Sequence, residues 1–223
     1  LLRYFFIFFM HFLGGVGIYF LINELFKNHS HKRVLSFLGA LFYLFNLATI
    51  QMFYAQYETF AVHFAFLPLL LLFVIKYLSS GKKIHLAFFA VLSLLATPQA
   101  HVPTLFIVYC IALFTVLIFH ALQNTKRDLK KIVTIILLTV SINTFWGLPY
   151  AYSTLVNAKT ITNSKINQMS TEDVYLKNKA HGNLWDVALM KGFWFDYVDT
   201  QNAGKNDYIM PVWRKHSQQL PFI

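Results

Sequence analysis

Polar side chains collect in two turns of the sequence that lie between hydrophobic runs and contain no lysine or arginine. LATIQMFYAQYE (47–58) holds the single carboxylate of the two turns, Glu58, and ATPQAHVP (96–103) holds Gln99 and His101 between two prolines. Polar side chains at membrane depth are expensive and often mark a functional site, here one that would bind a polar ligand from outside. Glu58 then belongs to an external pocket or is an ordinary exposed glutamate. Gln99 and His101 line that pocket or cap the neighbouring helices.

Further polar and aromatic residues lie on the same side of the chain. On a helix Thr59 and His63 are one turn apart, so the spacing predicts that His63 sits beneath Glu58 and faces the same cavity. Tyrosine and tryptophan also favour the headgroup region for their own amphipathic reasons, so an interfacial belt is the alternative interpretation. The other predicted residues of the pocket wall are Asn46, Gln51, Tyr54, Gln56, Tyr57, Asn143, Trp146 and Tyr150.

Two other motifs have a simpler explanation than a ligand site. The chain has nine histidines, but His29 and His31 lie among cations that oppose a metal, and no HExxH or CxxC spacing occurs. We therefore predict no metal site. The glycines of LGGVG, at positions 14, 15 and 17, echo a nucleotide loop but lie within a hydrophobic run, where close helix packing is the better interpretation.

Hydrophobic runs long enough to cross a membrane flank the polar turns. The chain of 223 residues is 57% hydrophobic and 13% charged, with a mean hydropathy of +0.52, and a spanning helix needs about 20 mostly apolar residues. Two prolines and two polar side chains split the longest run into a hairpin. We expect an all-α, polytopic transmembrane bundle of about six spans in residues 1–154, near 4–26, 34–50, 59–78, 84–97, 103–122 and 132–153.

Lysine and arginine are sorted to alternate loops, which predicts the orientation of the chain. Basic loops stay in the cytoplasm, so the two polar turns and residues 155–223 are expected on the external side. Most of the net charge of +10 lies in these loops, which makes membrane lipid a predicted partner and excludes nucleic acid. The basic residues are Lys27, Lys32 and Arg33, then Lys76, Lys82 and Lys83, then Lys126, Arg127, Lys130 and Lys131.

Residues 155–223 are polar and mixed in charge, and we expect an external loop or subdomain with short helices. Its patterned segment, NLWDVALMKGFWFDYVD (183–199), roughly follows helical spacing, with Trp185, Trp194 and Tyr197 within reach of a membrane surface. An interfacial helix lying against the pocket and the core of a folded loop are equal alternatives.

Both ends of the sequence are typical of a segment taken from a longer chain. The chain begins at Leu1 rather than at an initiator methionine, and it stops in the apolar stretch 220–223. We therefore expect a piece of a longer protein, with a further span after residue 223.

Four stretches resemble C-class (GT-C) membrane glycosyltransferases, most closely arabinofuranosyltransferase-type and related uncharacterised bacterial members. Such proteins have a first span, a large external loop with a catalytic aspartate, and six more spans before another external loop. The chain would match from the second span through that later loop. The stretches are FLGALFYLFNLATIQMFYAQYETFAVHFAFLPLLLLFVIKYL (37–78), TPQAHVP (97–103), FWGLPYAYSTL (145–155) and NLWDVALMKGFW (183–194).

The resemblance implies an enzyme of a bacterial plasma membrane that transfers a sugar from a polyprenyl-phosphate donor to a glycan or lipid acceptor on the external face. It places the catalytic base before Leu1, so the chain alone is expected to be inactive, and it leaves Glu58 as a second carboxylate that orients hydroxyl groups. No cofactor is evident, and a divalent metal in the longer parent stays open. The implied substrate-binding residues are Tyr54, Gln56, Gln99, His101, Trp146 and Tyr150, with Lys159 and Lys165 for the lipid phosphate.

Two other classes of protein fit the same spans. A transporter or lipid-carrier flippase would also combine many spans with polar residues, but it usually needs polar or broken segments near the midplane. The midplane stretches 68–75 and 111–119 are apolar, which favours a site that opens outward. A non-catalytic membrane assembly protein is the third alternative.

Overall fold

The computed structural model describes residues 1–54, 57–123, 128–163, 176, 179–192, 198–199, 207–208 and 210–219. These residues are almost entirely helical, so the expected all-α polytopic helix bundle is confirmed. The helices are α1 (Leu2–Leu25), α2 (Lys32–Phe45), α3 (Leu47–Tyr54), α4 (Glu58–Ser80), α5 (Lys83–Leu95), a 3₁₀ turn (Thr97–His101), α6 (Pro103–Gln123), α7 (Leu129–Val156), α8 (Ala158–Asn163), α9 (Leu184–Ala188) and α10 (Pro211–Gln219).

Four of the described helices are long and apolar enough to cross a membrane: α1, α4, α6 and α7. The pair α2 and α3 adds a fifth crossing if it is one broken span, and α5 is an apolar helix of 13 residues. At 1.5 Å per residue α5 is only about 20 Å long, against a hydrocarbon core of about 30 Å.

The predicted span 34–50 is interrupted in the structure. α2 ends at Phe45 and α3 begins at Leu47, because the side-chain oxygen of Asn46 accepts the backbone N–H of Thr49 at 3.0 Å. That bond is typical of an asparagine at a helix N-cap. Asn46, predicted for the pocket wall, thus starts α3.

The described chain divides into two compact units. The first contains Leu1–Leu44 and Gln56–Tyr152, and the second contains Phe45–Ala55 and Ser153–Ile223. The boundary after Tyr152 lies close to the predicted one after residue 154. The structure differs from the prediction at Phe45–Ala55, which groups with the second unit rather than with the bundle.

α4 is the central helix of the first unit, where α1, α5, α6 and the 3₁₀ turn pack against it. Gly14 of α1 lies against Phe64 of α4, and Gly17, three residues later, lies against Pro68, four residues after Phe64. The two helices therefore run parallel. A Cβ built on Gly14 would lie 2.4 Å from the Phe64 ring. The predicted role of these glycines in close helix packing is confirmed, since only a missing side chain permits this approach.

Two side chains bind backbone carbonyls, one beside a proline inside α4 and one beside the break between α2 and α3. Pro68 has no N–H to donate to the carbonyl of Phe64 one turn earlier, and the Tyr43 hydroxyl donates to that carbonyl at 2.9 Å. His11 Nε2 donates to the carbonyl of Leu44 at 3.0 Å, next to the break after α2. In a bilayer no water can take these places, so side chains of neighbouring helices stabilise the breaks.

At the end of the first unit where α4 finishes, three side chains form a cluster of ion pairs and hydrogen bonds. Lys131 donates to the carbonyl of Leu78 at 2.7 Å, which joins the end of α4 to the start of α7. Asp128 accepts from Lys131 at 2.9 Å and from His120 at 3.1 Å. Lys131, and secondarily His120, hold the pKa of Asp128 below its usual value.

The second unit contains α3, α8, α9 and α10. It also contains a short antiparallel pair, β1 (Val198–Asp199) and β2 (Asp207–Tyr208), in which Val198 pairs with Tyr208. The guanidinium of Arg214 lies 3.7 Å from the centre of the Tyr208 ring. Met210, which lies between β2 and α10 in the sequence, is buried. Short helices were expected in the external region, and the described part of this unit has them.

Candidate functional site

Glu58 occupies the first turn of α4 and forms an ion pair with Arg3 at the start of α1. A carboxylate in the first turn is stabilised by the helix dipole. Both side chains stay accessible, with 58% of Arg3 and 47% of Glu58 exposed. The start of α4 therefore presents one anionic and one cationic group to the surroundings.

Sequence reasoning missed Arg3. It is the single lysine or arginine in residues 1–154 outside the three basic clusters, and that isolation was the signal that could have singled it out. Its partner, Glu58, is likewise the single carboxylate of the two polar turns. The pairing itself depends on the parallel packing of α1 against α4, which the sequence pattern does not reveal.

His63 and Gln99 form a buried pair at the same end of the unit. His63 Nδ1 lies 2.7 Å from Gln99 Oε1, and both residues are buried. This bond joins α4 to the 3₁₀ turn between α5 and α6. A buried amide and imidazole that are bonded to each other stabilise the hairpin first of all, since each satisfies a polar group of the other.

Glu58 and His63 do not face the same way. Five residues correspond to about 140° around an α-helix, and the two side chains accordingly have partners on different sides of α4, Arg3 for the first and Gln99 for the second. The structure thus differs from the expectation that His63 sits beneath Glu58. At this end of the first unit Arg3 and Glu58 are therefore accessible, whereas His63 and Gln99 are buried.

The remaining predicted site residues are scattered. His101, at the end of the 3₁₀ turn, and Tyr150, near the end of α7, are exposed in the first unit. Tyr54 is exposed at the end of α3 and Lys159 is exposed on α8, both in the second unit. Gln56 and Lys165 lie outside the described residues.

Trp146 borders an apolar groove between α6 and α7. Its indole N–H donates to Asn143 Oδ1 at 2.9 Å, and its ring packs edge-on against Phe106 with centroids 4.9 Å apart. The groove has a volume of about 320 Å³ and is almost wholly apolar, with Cys110 and Thr139 in its wall. Trp146 therefore contributes to a hydrocarbon-lined groove rather than to the polar pair at Glu58.

Gln51, a predicted residue of the pocket wall, instead holds the second unit together. Its side-chain nitrogen donates to the carbonyls of Leu47 at 3.0 Å and Met190 at 2.8 Å. Its side-chain oxygen accepts the N–H of Gly192 at 2.9 Å. Gln51 is buried, so its amide serves as a clamp between α3 and a turn some 140 residues later in the chain.

Metal-binding groups do not come together in the described ranges. Nowhere in that part of the chain do three or more His, Cys, Asp or Glu side chains form a group that could hold a metal ion.

Residues 4–177 match the family described as "6-pyruvoyl-tetrahydropterin synthase related domain; membrane protein". The chain belongs to this family. The membrane character in that description agrees with the four long apolar helices, so the chain is a membrane protein. No curated protein and no solved structure matches the chain.

The match to the 6-pyruvoyl-tetrahydropterin synthase related family covers both polar turns, the buried pair of His63 and Gln99, and Glu58. It begins one residue after Arg3 and ends before α9. The family's description mentions a relation to a pterin synthase and assigns no residue of this chain a role in such chemistry.

Proposed function

We propose that the chain is part of an integral membrane glycosyltransferase that transfers a sugar from a polyprenyl-phosphate donor to an acceptor on the extracytoplasmic face. The observation that carries this proposal is the accessible pair of Arg3 and Glu58, at the end of the first unit opposite to the cluster of Lys131, Asp128 and His120. A glycosyl transfer from a lipid phosphate needs both an anion that binds hydroxyl groups and a cation that binds phosphate.

The chemistry assigns different tasks to the two side chains. The acceptor oxygen forms a bond to the anomeric carbon while the bond from that carbon to the phosphate oxygen breaks, and the polyprenyl phosphate leaves with the electron pair. The acceptor proton passes to a base, for which we name no residue of this chain. Glu58 would accept hydrogen bonds from sugar or acceptor hydroxyls, and Arg3 would bind the phosphate in the bidentate manner that guanidinium favours.

The proposed orientation follows from the charges at the two ends of the bundle. Parallel α1 and α4 begin at the Arg3–Glu58 end, and both lead to loops with several lysines. By the positive-inside rule we propose that the loops after α1, α4 and α6 lie in the cytoplasm and residues 155–223 on the external side. The proposed membrane is a bacterial plasma membrane. The polar pair would face the compartment where lipid-linked sugars are used to build the cell envelope.

The groove between α6 and α7 supports a lipid-linked substrate rather than a wholly water-soluble one. Its lining is apolar and contains Phe106, Leu113 and Leu148, side chains that suit a hydrocarbon chain. The roles that the resemblance implies for Lys159 and Lys165 at the lipid phosphate, and for His101 and Tyr150 toward the sugar, stay predictions.

The experiment measures sugar incorporation from a polyprenyl-phosphate sugar donor in membranes that contain the full-length protein. Glu58→Gln or Arg3→Gln should lower the rate about tenfold or more, because each removes a hydrogen bond to a charged group worth about 1.5–3 kcal/mol. Glu24→Gln is the matched control, since Glu24 pairs with Lys27 at 3.6 Å at the other end of α1. His101→Ala should also lower the rate, whereas the control should not.

A charge exchange separates substrate binding from a structural role. In the double variant Arg3→Glu with Glu58→Arg, an ion pair forms again but the charges stand at exchanged positions. If the pair binds substrate, activity stays low; full recovery would contradict the proposed roles. Flux of the lipid carrier across vesicles without any covalent product would favour the transporter instead.

A further inference from the structure

The turn from His181 to Gly192 in the second unit has an inverted pattern of exposure. Three of its apolar side chains point outward: Leu184 is 87% exposed, Trp185 66% and Val187 62%. Its ionisable side chains lie inside, with His181 and Lys191 14% exposed and Asp186 18%. In a protein surrounded by water the reverse pattern is expected, because exposed apolar area is unfavourable and charges are rarely enclosed.

Hydrogen bonds and ion pairs inside the turn hold this inverted arrangement. The side chain of Asn183 accepts the N–H of Asp186 at 2.9 Å and donates to Asp186 Oδ2 at 2.8 Å, which caps α9. Asp186 also lies 3.4 Å from His181 and 3.5 Å from Lys191. Asp186 thus lies on the inner side of α9, while Leu184, Trp185 and Val187 are exposed.

The backbone at the end of the turn is fixed as well. Met190 adopts a φ of 57°, in the left-handed region that is unfavourable for a residue with a side chain. The Gln51 amide binds the Met190 carbonyl and the Gly192 N–H on either side of that bend. Several independent contacts therefore specify the fold that exposes Leu184, Trp185 and Val187.

We infer that Leu184, Trp185 and Val187 dock the second unit onto the bilayer, in the headgroup boundary of the leaflet that α7 reaches at Val156. Only 27 residues (157–183) separate the end of that apolar helix from α9, so the turn is tethered to the membrane surface. A tryptophan beside two aliphatic side chains is typical of segments that lie in the interface.

A protein partner fits this surface less well than lipid does. A stable protein interface buries about 800 Å² on each side, with roughly 20–30 residues, whereas the outward face of α9 consists of three side chains. Lipid needs no such area, because the tether raises the effective concentration of the turn at the surface. That the leaflet is the external one depends on the proposed function; the docking itself does not.

Site-specific fluorescence in liposomes tests the docking. The whole chain carries Cys110→Ser, which removes its single cysteine, and an environment-sensitive NBD label at Leu184→Cys or Val187→Cys. Lys179→Cys is the matched control, because Lys179 is an exposed polar residue of the same unit. Quenching is measured with iodide in the water and with doxyl-labelled phosphatidylcholine in the bilayer.

Docking predicts blue-shifted emission and strong doxyl quenching at positions 184 and 187, with iodide quenching about threefold weaker than at position 179. Equal iodide quenching at all three positions would overturn the proposal. Protection of 184 and 187 from both quenchers would also overturn it, because protein rather than lipid would then cover the turn. None of these readouts requires sugar transfer, so a failure of the enzyme assay leaves the result intact.

Discussion

Removal of the Tyr43 hydroxyl should destabilise the first unit only while Pro68 is present. The hydroxyl donates to the carbonyl of Phe64 at 2.9 Å, in the place of the amide N–H that Pro68 lacks. Pro68→Ala returns an amide N–H to that position of α4. The Tyr43 bond should then become dispensable, because the carbonyl regains its ordinary helical donor.

The expected size of the effect follows from the contacts of Tyr43. Tyr43→Phe retains the stacked ring contact with Phe64, whose centroid lies 4.2 Å away at an angle of 16°, so little packing is lost. A buried acceptor that loses its donor costs about 1–3 kcal/mol, and interhelical hydrogen bonds in membranes reach at most about 1.7 kcal/mol in double-mutant cycles. We therefore expect a loss of about 1–1.5 kcal/mol with Pro68 and close to zero with Pro68→Ala.

The measurement is a double-mutant cycle of unfolding free energies in mixed detergent micelles, with the four combinations of Tyr43 or Phe and Pro68 or Ala. The cycle cancels the separate effect of Pro68→Ala on helix propensity and packing. Tyr152→Phe is the matched control, because Tyr152 is exposed on α7, and it should change nothing. The reasoning is refuted if Tyr43→Phe costs the same in both backgrounds.

Gly14→Ala should destabilise the first unit by about 1–3 kcal/mol, because the added Cβ would lie 2.4 Å from the Phe64 ring; a lowered unfolding midpoint in micelles checks this. Gly147→Ala, where nothing lies within 4 Å of the added Cβ, should leave the midpoint equal or higher, and a loss as large as that of Gly14→Ala would contradict the packing argument. Burial raises the pKa of Asp186, but Asn183 and the neighbouring cations outweigh it and hold that pKa below its usual value. Protection of the turn around Asp186 from proteolysis should thus be complete above about pH 4 and decline as the pH falls further; a decline already near neutral pH would contradict this.

Hydropathy and length were sufficient to locate the long helices. The predicted spans 4–26 and 59–78 correspond to α1 (Leu2–Leu25) and α4 (Glu58–Ser80) within about two residues at each end. The position of such a span is decided chiefly by the transfer of some 20 apolar residues into hydrocarbon. The break at Asn46 escaped prediction because a single polar residue barely changes the mean hydropathy of a run, although its side chain decides where α3 starts.

The pairings of the polar residues required the folded structure. The bond between His63 and Gln99 joins residues 36 positions apart, and it depends on how the 3₁₀ turn returns to α4. The different directions of Glu58 and His63 were available from the sequence, since residues five positions apart do not share a helix face. Orientation by lysine and arginine, and the catalytic role itself, stay predictions.

Polar side chains at membrane depth are usually taken as signs of function, but here several of them form hydrogen bonds with backbone groups. Tyr43 and His11 donate to carbonyls beside a proline and a helix break, and Gln51 uses both ends of its amide on main-chain groups. A hydrogen-bonding group already committed to the backbone has little capacity left for a ligand. By this criterion Arg3 and Glu58 are the stronger candidates, because they bind each other through accessible side chains. A substrate with a phosphate and hydroxyl groups can replace an exposed ion pair at small cost, since such pairs contribute only about 0–1 kcal/mol.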